Sequence, residues 1–212
     1  MRKKGIVADP LAFLGFQCPA EGATALILPI PYEETTTYRT GTRHGPAAIL
    51  EASQQVELYD EELSSEPYLH GIHTLDEFTL VSSDHEKSVA QIEKETLKHL
   101  SKKRVLAVLG GEHTITVGLA RAHKKIFPKL SVLQIDAHAD LRSSYQDSPY
   151  NHACVMFQVS KLCPTVQVGI RSMSAEEVGI SARRRTRIFF ARDIIGQKAW
   201  MEEAVEGLTD HV

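Results

Sequence analysis

Asp136, His138 and Asp140 stand at alternate positions of the segment 131–142 (SVLQIDAHADLR), separated only by Ala137 and Ala139. Alternate side chains of an extended backbone leave the same face, so the spacing predicts two carboxylates and an imidazole pointing together past small spacers. Two like charges drawn out of water side by side are costly unless a cation neutralises them. A divalent metal is the simplest cation, and mixed oxygen and nitrogen donors suit a hard or borderline ion. A solvated loop is the plain alternative for an isolated Asp-x-His. Strict alternation directly after the apolar run 132–135 favours the metal.

A second potential ligand comes earlier. The run 105–109 (VLAVL) reads as a strand and ends in Gly110-Gly111-Glu112-His113, with an apolar-patterned helix expected over 114–127 and Pro128 closing it. Strand, helix and the next strand, 131–135, make a right-handed parallel crossover, which delivers His113 and the Asp136 triplet to the same edge of one sheet. Four donors then meet. They are few for two metals, unless Asp136 bridges a pair with His113 and Asp140 on one ion and His138 on the other. Glu112 reads as a helix N-terminal or supporting carboxylate rather than a ligand. His152 follows the polar loop 141–153. A lone histidine is usually an ordinary surface or core residue, but here it opens a helix just beyond the metal residues and could move a proton. Cys154 reads as a small buried hydrophobe.

The remaining elements are the frame for these residues. Residues 1–22 look irregular, 24–30 forms a first strand, and a long Thr/Gly-rich loop leads to Gly45-Pro46 and a helix over 47–58. Residues 59–82 look acidic and irregular. Ser83 and Glu86 spell a capping box for a helix to about 103, with Val89, Ile92, Thr96 and Leu100 inward. Later elements are a helix 154–162, a strand 165–170, a helix 174–182, a strand 187–191 and a helix 197–208, with 209–212 leading towards another strand. The whole, 1–212, reads as one α/β domain.

With 42% hydrophobic and 24% charged residues and a net charge of −3, the composition is that of a soluble globular protein. It offers no broad basic surface for nucleic acid. The cluster Arg183-Arg184-Arg185 with Arg187 reads as a solvated helix end or loop. Three cysteines without a CxxC spacing fit a reducing cytoplasm, and no apolar run is long enough to span a membrane. The basic start, Met1 to Lys4, is not followed by a signal-peptide pattern.

Gly110-Gly-Glu-His113 and Asp136-Ala-His-Ala-Asp140 resemble the first two metal motifs of the ureohydrolases, the arginase and agmatinase family, and Gly41-Thr-Arg-His-Gly-Pro46 resembles that family's N-terminal signature. The resemblance runs from about Leu26 to the end. It implies a three-layer α-β-α fold with a mostly parallel sheet, as in arginases and deacetylases, and a pair of Mn2+ ions. By it, His113 ligates the first manganese, His138 the second, and Asp136 bridges both. Asp140 ligates the first and hydrogen-bonds the nucleophile, and His152 matches the proton-shuttling histidine. It implies hydrolysis of a small guanidino compound to urea and an amine, in a homo-oligomer (trimer or hexamer), with no nucleic acid or membrane partner. Tyr150-Asn-His-Ala-Cys-Val-Met156 looks more like agmatinases than arginases, so agmatine leads, with arginine, guanidinobutyrate and formiminoglutamate behind. The family's third motif, SxDxDxxDP, does not occur. The sequence ends about where its strand would begin, so the expected fold is incomplete at the C-terminus: the chain is either a fragment or truly truncated, and truncation would leave a half-built metal site with weak manganese binding and little or no turnover. A non-catalytic homologue is the rival reading. A phosphoesterase would need a basic clamp where only Arg142 is near.

Overall fold

The structure, a computed structural model, describes residues 5–183 and 186–212. The basic start at 1–4 and Arg184 and Arg185 of the arginine cluster lie outside the described residues. The described chain groups into two compact units, one built from residues up to Leu80 with Lys98–Glu112, the other from Val81–Leu97 with His113–Val212.

The first unit opens with a small antiparallel pair, β1 (Val7–Ala8) and β2 (Phe16–Gln17), where the sequence suggested only irregular chain. Its main sheet is parallel. β3 (Ala25–Ile30) lies between β4 (Ile72–Thr74) and β5 (Val105–Gly110). Leu26, Leu28 and Ile30 are fully buried, as a continuous apolar run in a central parallel strand requires. β4 is an addition to the sequence reading. Three residues after Gly71 are too short for a periodic signal, and the strand exists through its ladder with β3. The loop after β3 leads into α1 (Gly45–Ser53), with Pro46 in its first turn as expected, though the helix stops five residues early.

In the second unit β7 (Thr165–Ile170) lies between β6 (Val132–Ile135) and β8 (Thr186–Phe190), again in parallel. Helices cover both faces. On one, α2 (His85–His99), α3 (Ile115–Ile126) and α4 (Val155–Val159) contribute Val89, Val117, Ala120, Val155, Met156 and Val159 to the largest apolar cluster. On the other, Val166 and Val168 of β7 pack with Phe189 and with Ala204 of α7 (Ala199–Glu206). The short helices α5 (Ala175–Ser181) and α6 (Ala191–Ile194) flank β8. Arg187 reaches from β8 to Glu203 of α7, with Nη2 2.7 Å from Oε2. His211 pairs in parallel with Leu130, its carbonyl accepting the Ser131 N–H at 2.8 Å, so 209–212 does run beside the start of β6.

Two expectations are corrected. β5 and β6 belong to different sheets, so they are not ladder partners in one crossover unit. β6 is also no apolar core strand. It is the edge of its sheet, its one buried side chain is Gln134, and Ile135 is 80% exposed.

The α2 cap differs as well. The helix begins at His85, so Asp84 takes the cap position assigned to Ser83, and its Oδ1 accepts the Lys87 N–H at 3.0 Å. That backbone hydrogen bond holds the Asp84 carboxyl below its ordinary value, with Lys87's charge assisting. A lowered folded value stabilises the protein above the ordinary carboxylate range, and the effect is lost as pH falls through the folded value. Asp84→Ala is therefore expected to lower the thermal midpoint at pH 7. That gap should narrow below about pH 4, a trend that melting curves across pH will show.

Candidate metal centre

Three donors converge in the second unit. His113, Asp136 and Asp140 offer ligand atoms that all lie within 4.8 Å of one another, and among the described residues they form the group able to hold a metal ion. His113 Nδ1 is 2.8 Å from Asp140 Oδ2 and 3.9 Å from Asp136 Oδ2. The three side chains are 26%, 28% and 12% exposed, reachable by an ion yet shielded from bulk water.

Each donor is placed by the backbone around it. His113 stands two residues before α3, and its carbonyl accepts the Thr116 N–H at 2.9 Å, which ties it to the first turn. Asp136 follows β6 directly, and its N–H continues the β6–β7 ladder to Val168 O at 3.1 Å. β7 bulges there at Gly169, whose φ is +87°. Its backbone is in a conformation that L side chains rarely adopt, so glycine avoids strain there, and a Cβ would also sit a tight 3.3 Å from Asp136 O.

Asp140 departs from the extended trace. Its φ is +49°, left-handed, which Asp tolerates better than most residues. The turn sends its carbonyl to the start of α4, where it accepts from Met156 N at 2.9 Å and Phe157 N at 3.2 Å. The next N–H, that of Leu141, donates to buried Glu177 Oε1 at 2.8 Å. Glu177 also closes a capping box with Ser174 on α5.

His138 lies outside the group of three. It is 65% exposed, and its Nδ1 is 3.5 Å from Asp136 Oδ1. The alternation rule expected Asp136, His138 and Asp140 to point together. The strand ends at Ile135 and Asp140 is left-handed, so the rule applies only across Gln134 and Asp136. The two Asp136 oxygens face different histidines, Oδ2 towards His113 and Oδ1 towards His138.

His152 is also outside the group. It opens a short 3-10 turn (His152–Cys154) capped by Asn151, whose Oδ1 accepts the Ala153 N–H at 3.0 Å. Its ring meets Tyr145 edge to face at 6.3 Å, and the Arg142 guanidinium lies over the Tyr145 ring, 4.7 Å from its centroid. Arg142 is thus engaged with Tyr145, and its Nε is 3.9 Å from Glu177. Glu112, two residues beyond β5, binds the loop after β3. Its carboxylate accepts from the N–H groups of Glu34 and Thr35, the latter at 2.6 Å, and from the Thr35 hydroxyl. No sequence signal showed that this carboxylate holds a loop 77 to 78 residues away in the chain.

The donors fit a metal. One imidazole and two carboxylates are a mixed set suited to manganese or its neighbours. The His113 Nδ1 that touches Asp140 would have to give up its hydrogen to an ion, so proton and metal compete for one lone pair. Cys154 offers no rival chemistry, since burial pushes its thiol up to about 11.

The arginase family model matches residues 23–212. An N(1)-aminopropylagmatine ureohydrolase of Synechocystis is 36% identical over 198 residues, covering 88% of this chain and 63% of its own length. An agmatinase of Bacillus cereus is 33% identical over 162 residues, covering 74% of this chain and 55% of its own. The crystal structure of agmatine ureohydrolase from Thermoplasma volcanium superposes with a TM-score of 0.79 at 30% identity, over 90% of this chain and 65% of that one. The chain therefore belongs to the arginase family and has its three-layer α/β fold, and it spans about three-fifths of the length of these relatives.

Two outcomes are expected. His113→Ala and Asp136→Ala should each lower the manganese content of the purified chain, measured by elemental analysis. Metal retained in full by Asp136→Ala would remove it from the centre. Native Cys154 should resist alkylation by iodoacetamide near neutral pH, as a thiol held protonated does.

Proposed function

We propose, with membership of the arginase family as the premise, that this chain carries the chemistry of a manganese-dependent ureohydrolase acting on a small guanidino amine. The observation that carries the reading is the convergence of His113, Asp136 and Asp140 within 4.8 Å. In this reading His113, Asp140, His138 and Asp136 would hold two Mn2+ ions, with Asp136 shared between the His113 and His138 sides of the site. The division of the Asp136 oxygens between the two histidines, at 3.9 and 3.5 Å, supports a bridging role. Bound manganese would supply the Lewis acidity that makes water nucleophilic near neutral pH.

The chain's own groups do the rest. A guanidinium is resonance-stabilised, so its carbon yields only to an oriented nucleophile. Asp140 has one oxygen on His113, and its carboxylate accepts a hydrogen bond from the attacking water. The carbon–nitrogen bond to the alkyl amine then breaks, and the departing nitrogen must gain a proton. His152 supplies it, with its ring steadied by the edge contact to Tyr145. The products are urea and the amine.

Agmatine, giving putrescine, is one substrate in this class. N(1)-aminopropylagmatine, the same guanidinobutyl end with a longer amine tail, is the second, supported by the higher identity and wider coverage of the Synechocystis relative. Both lack the α-carboxylate of arginine. Among the described residues no helix is long and apolar enough to cross a membrane, and three buried cysteines without a CxxC spacing suit a reducing compartment. A cytoplasmic homo-oligomer, trimer or hexamer, completes the proposal.

Urea release from agmatine, N(1)-aminopropylagmatine and arginine, with and without Mn2+, tests it against the full-length Synechocystis relative as positive control. The expected order places both agmatines above arginine, and release from none of them overturns the reading. His152→Ala should keep the manganese and lose about 10²–10⁴-fold in turnover. Loss of metal in that variant would deny it the proton-transfer role.

A further inference from the structure

We propose that Gln134 and Gln167 form a one-way amide relay that aims the Asp136 carboxylate, making them positioning residues of the metal centre. The proposal rests on the reading of Asp136 as a ligand. The two glutamines are register partners across the β6–β7 ladder. They are 6% and 0% exposed, at places where a parallel sheet normally buries aliphatic side chains.

Their amides are orientated from one end. The Ala139 carbonyl lies 2.7 Å from Gln167 Nε2 and can only accept, so the nitrogen of that amide must face it. The second hydrogen of the same nitrogen goes to Gln134 Oε1. Gln134 is thereby left with its nitrogen towards Asp136, donating to Oδ2 at 3.2 Å and to the His138 carbonyl at 3.3 Å. Reversing Gln134 alone would set two donors against each other and an oxygen against the carboxylate. Reversing Gln167 would set an oxygen against Ala139 O. The polarity therefore runs in one direction, from the carbonyl next to Asp140 to the side chain of Asp136, and it pins both ends of the segment 136–140.

Stability alone does not account for the pair. Gln167 Oε1 is buried without a hydrogen-bond partner, a loss that an aliphatic residue at 167 would avoid. The arrangement is consistent if the donor delivered to Asp136 is what matters. Oδ1 is already fixed by the His138 N–H at 2.8 Å, and Gln134 fixes Oδ2, so the carboxylate plane cannot swing between its two histidines.

The test uses the 212-residue chain with Gln134→Met, Gln167→Met and the double variant, Met being unbranched and similar in length but unable to donate. Free Mn2+ is followed by electron paramagnetic resonance during titration. Gln134→Met should weaken binding by about 10–100-fold, Gln167→Met by a smaller factor, and the double variant no more than Gln134→Met. Such non-additivity follows from action in series, and a purely structural effect would instead give summed losses. Without metal, nitrogen-15 spectra should show slowly exchanging side-chain amides on both glutamines in the parent. Gln134 should lose that protection in Gln167→Met. If Gln167→Met does not fold, Gln134→Met alone decides. A parent that binds Mn2+ with variants that bind equally well overturns the relay and leaves the metal centre standing. A parent that binds no Mn2+ overturns both.

Discussion

Asp136 and Asp140 both direct an oxygen at His113, and the mutual repulsion of those two carboxylates is the constraint around which the second unit is arranged. Charges of one sign held a few ångströms apart in a partly shielded site are stable only if something positive stands between them. Among the described residues, His113 is the imidazole that faces both. The backbone holds the acids in place while they lack a cation. One follows an edge strand that still bonds its neighbour through the Asp136 N–H. The other has its carbonyl on α4 and its following N–H on Glu177. Backbone hydrogen bonds set the two acids, and a bound cation would relieve the repulsion that the scaffold maintains.

Much of this was readable from residue types. Val105–Gly110, Val132–Ile135 and Thr165–Ile170 match the expected strands closely, because short runs of β-branched and aliphatic residues bounded by Gly, Pro or Ser have few alternative conformations. The acids and His113 were legible because ligand types after strand ends are rare as decoration. What could not be read was non-local. β4 is three residues whose strand character exists only in its ladder with β3. The partners of Glu112 lie almost eighty residues earlier. The buried character of Gln134 depends on Gln167 opposite it, and no period of hydrophobicity marks a polar residue as interior.

The most instructive difference is at Asp140. Period-two reasoning holds only while the backbone stays extended, and the strand stops one residue before the first acid. Asp140 reaches the same point as Asp136 through a left-handed turn instead, and His138 is carried outward. Two routes, alternation and a turn, lead two carboxylates to one imidazole. The sequence pattern looks the same for either.

The left-handed turn at Asp140 has one more consequence. The contacts that hold it grip its main chain: two amides of α4 on its carbonyl, and the Glu177 carboxylate on the amide that follows. The carboxylate hangs from this mould without forming part of it. Asparagine, the other residue at ease in that conformation, could replace it and leave the contour intact. Such a copy would keep the fold of the segment while removing one of the two negative charges that face His113.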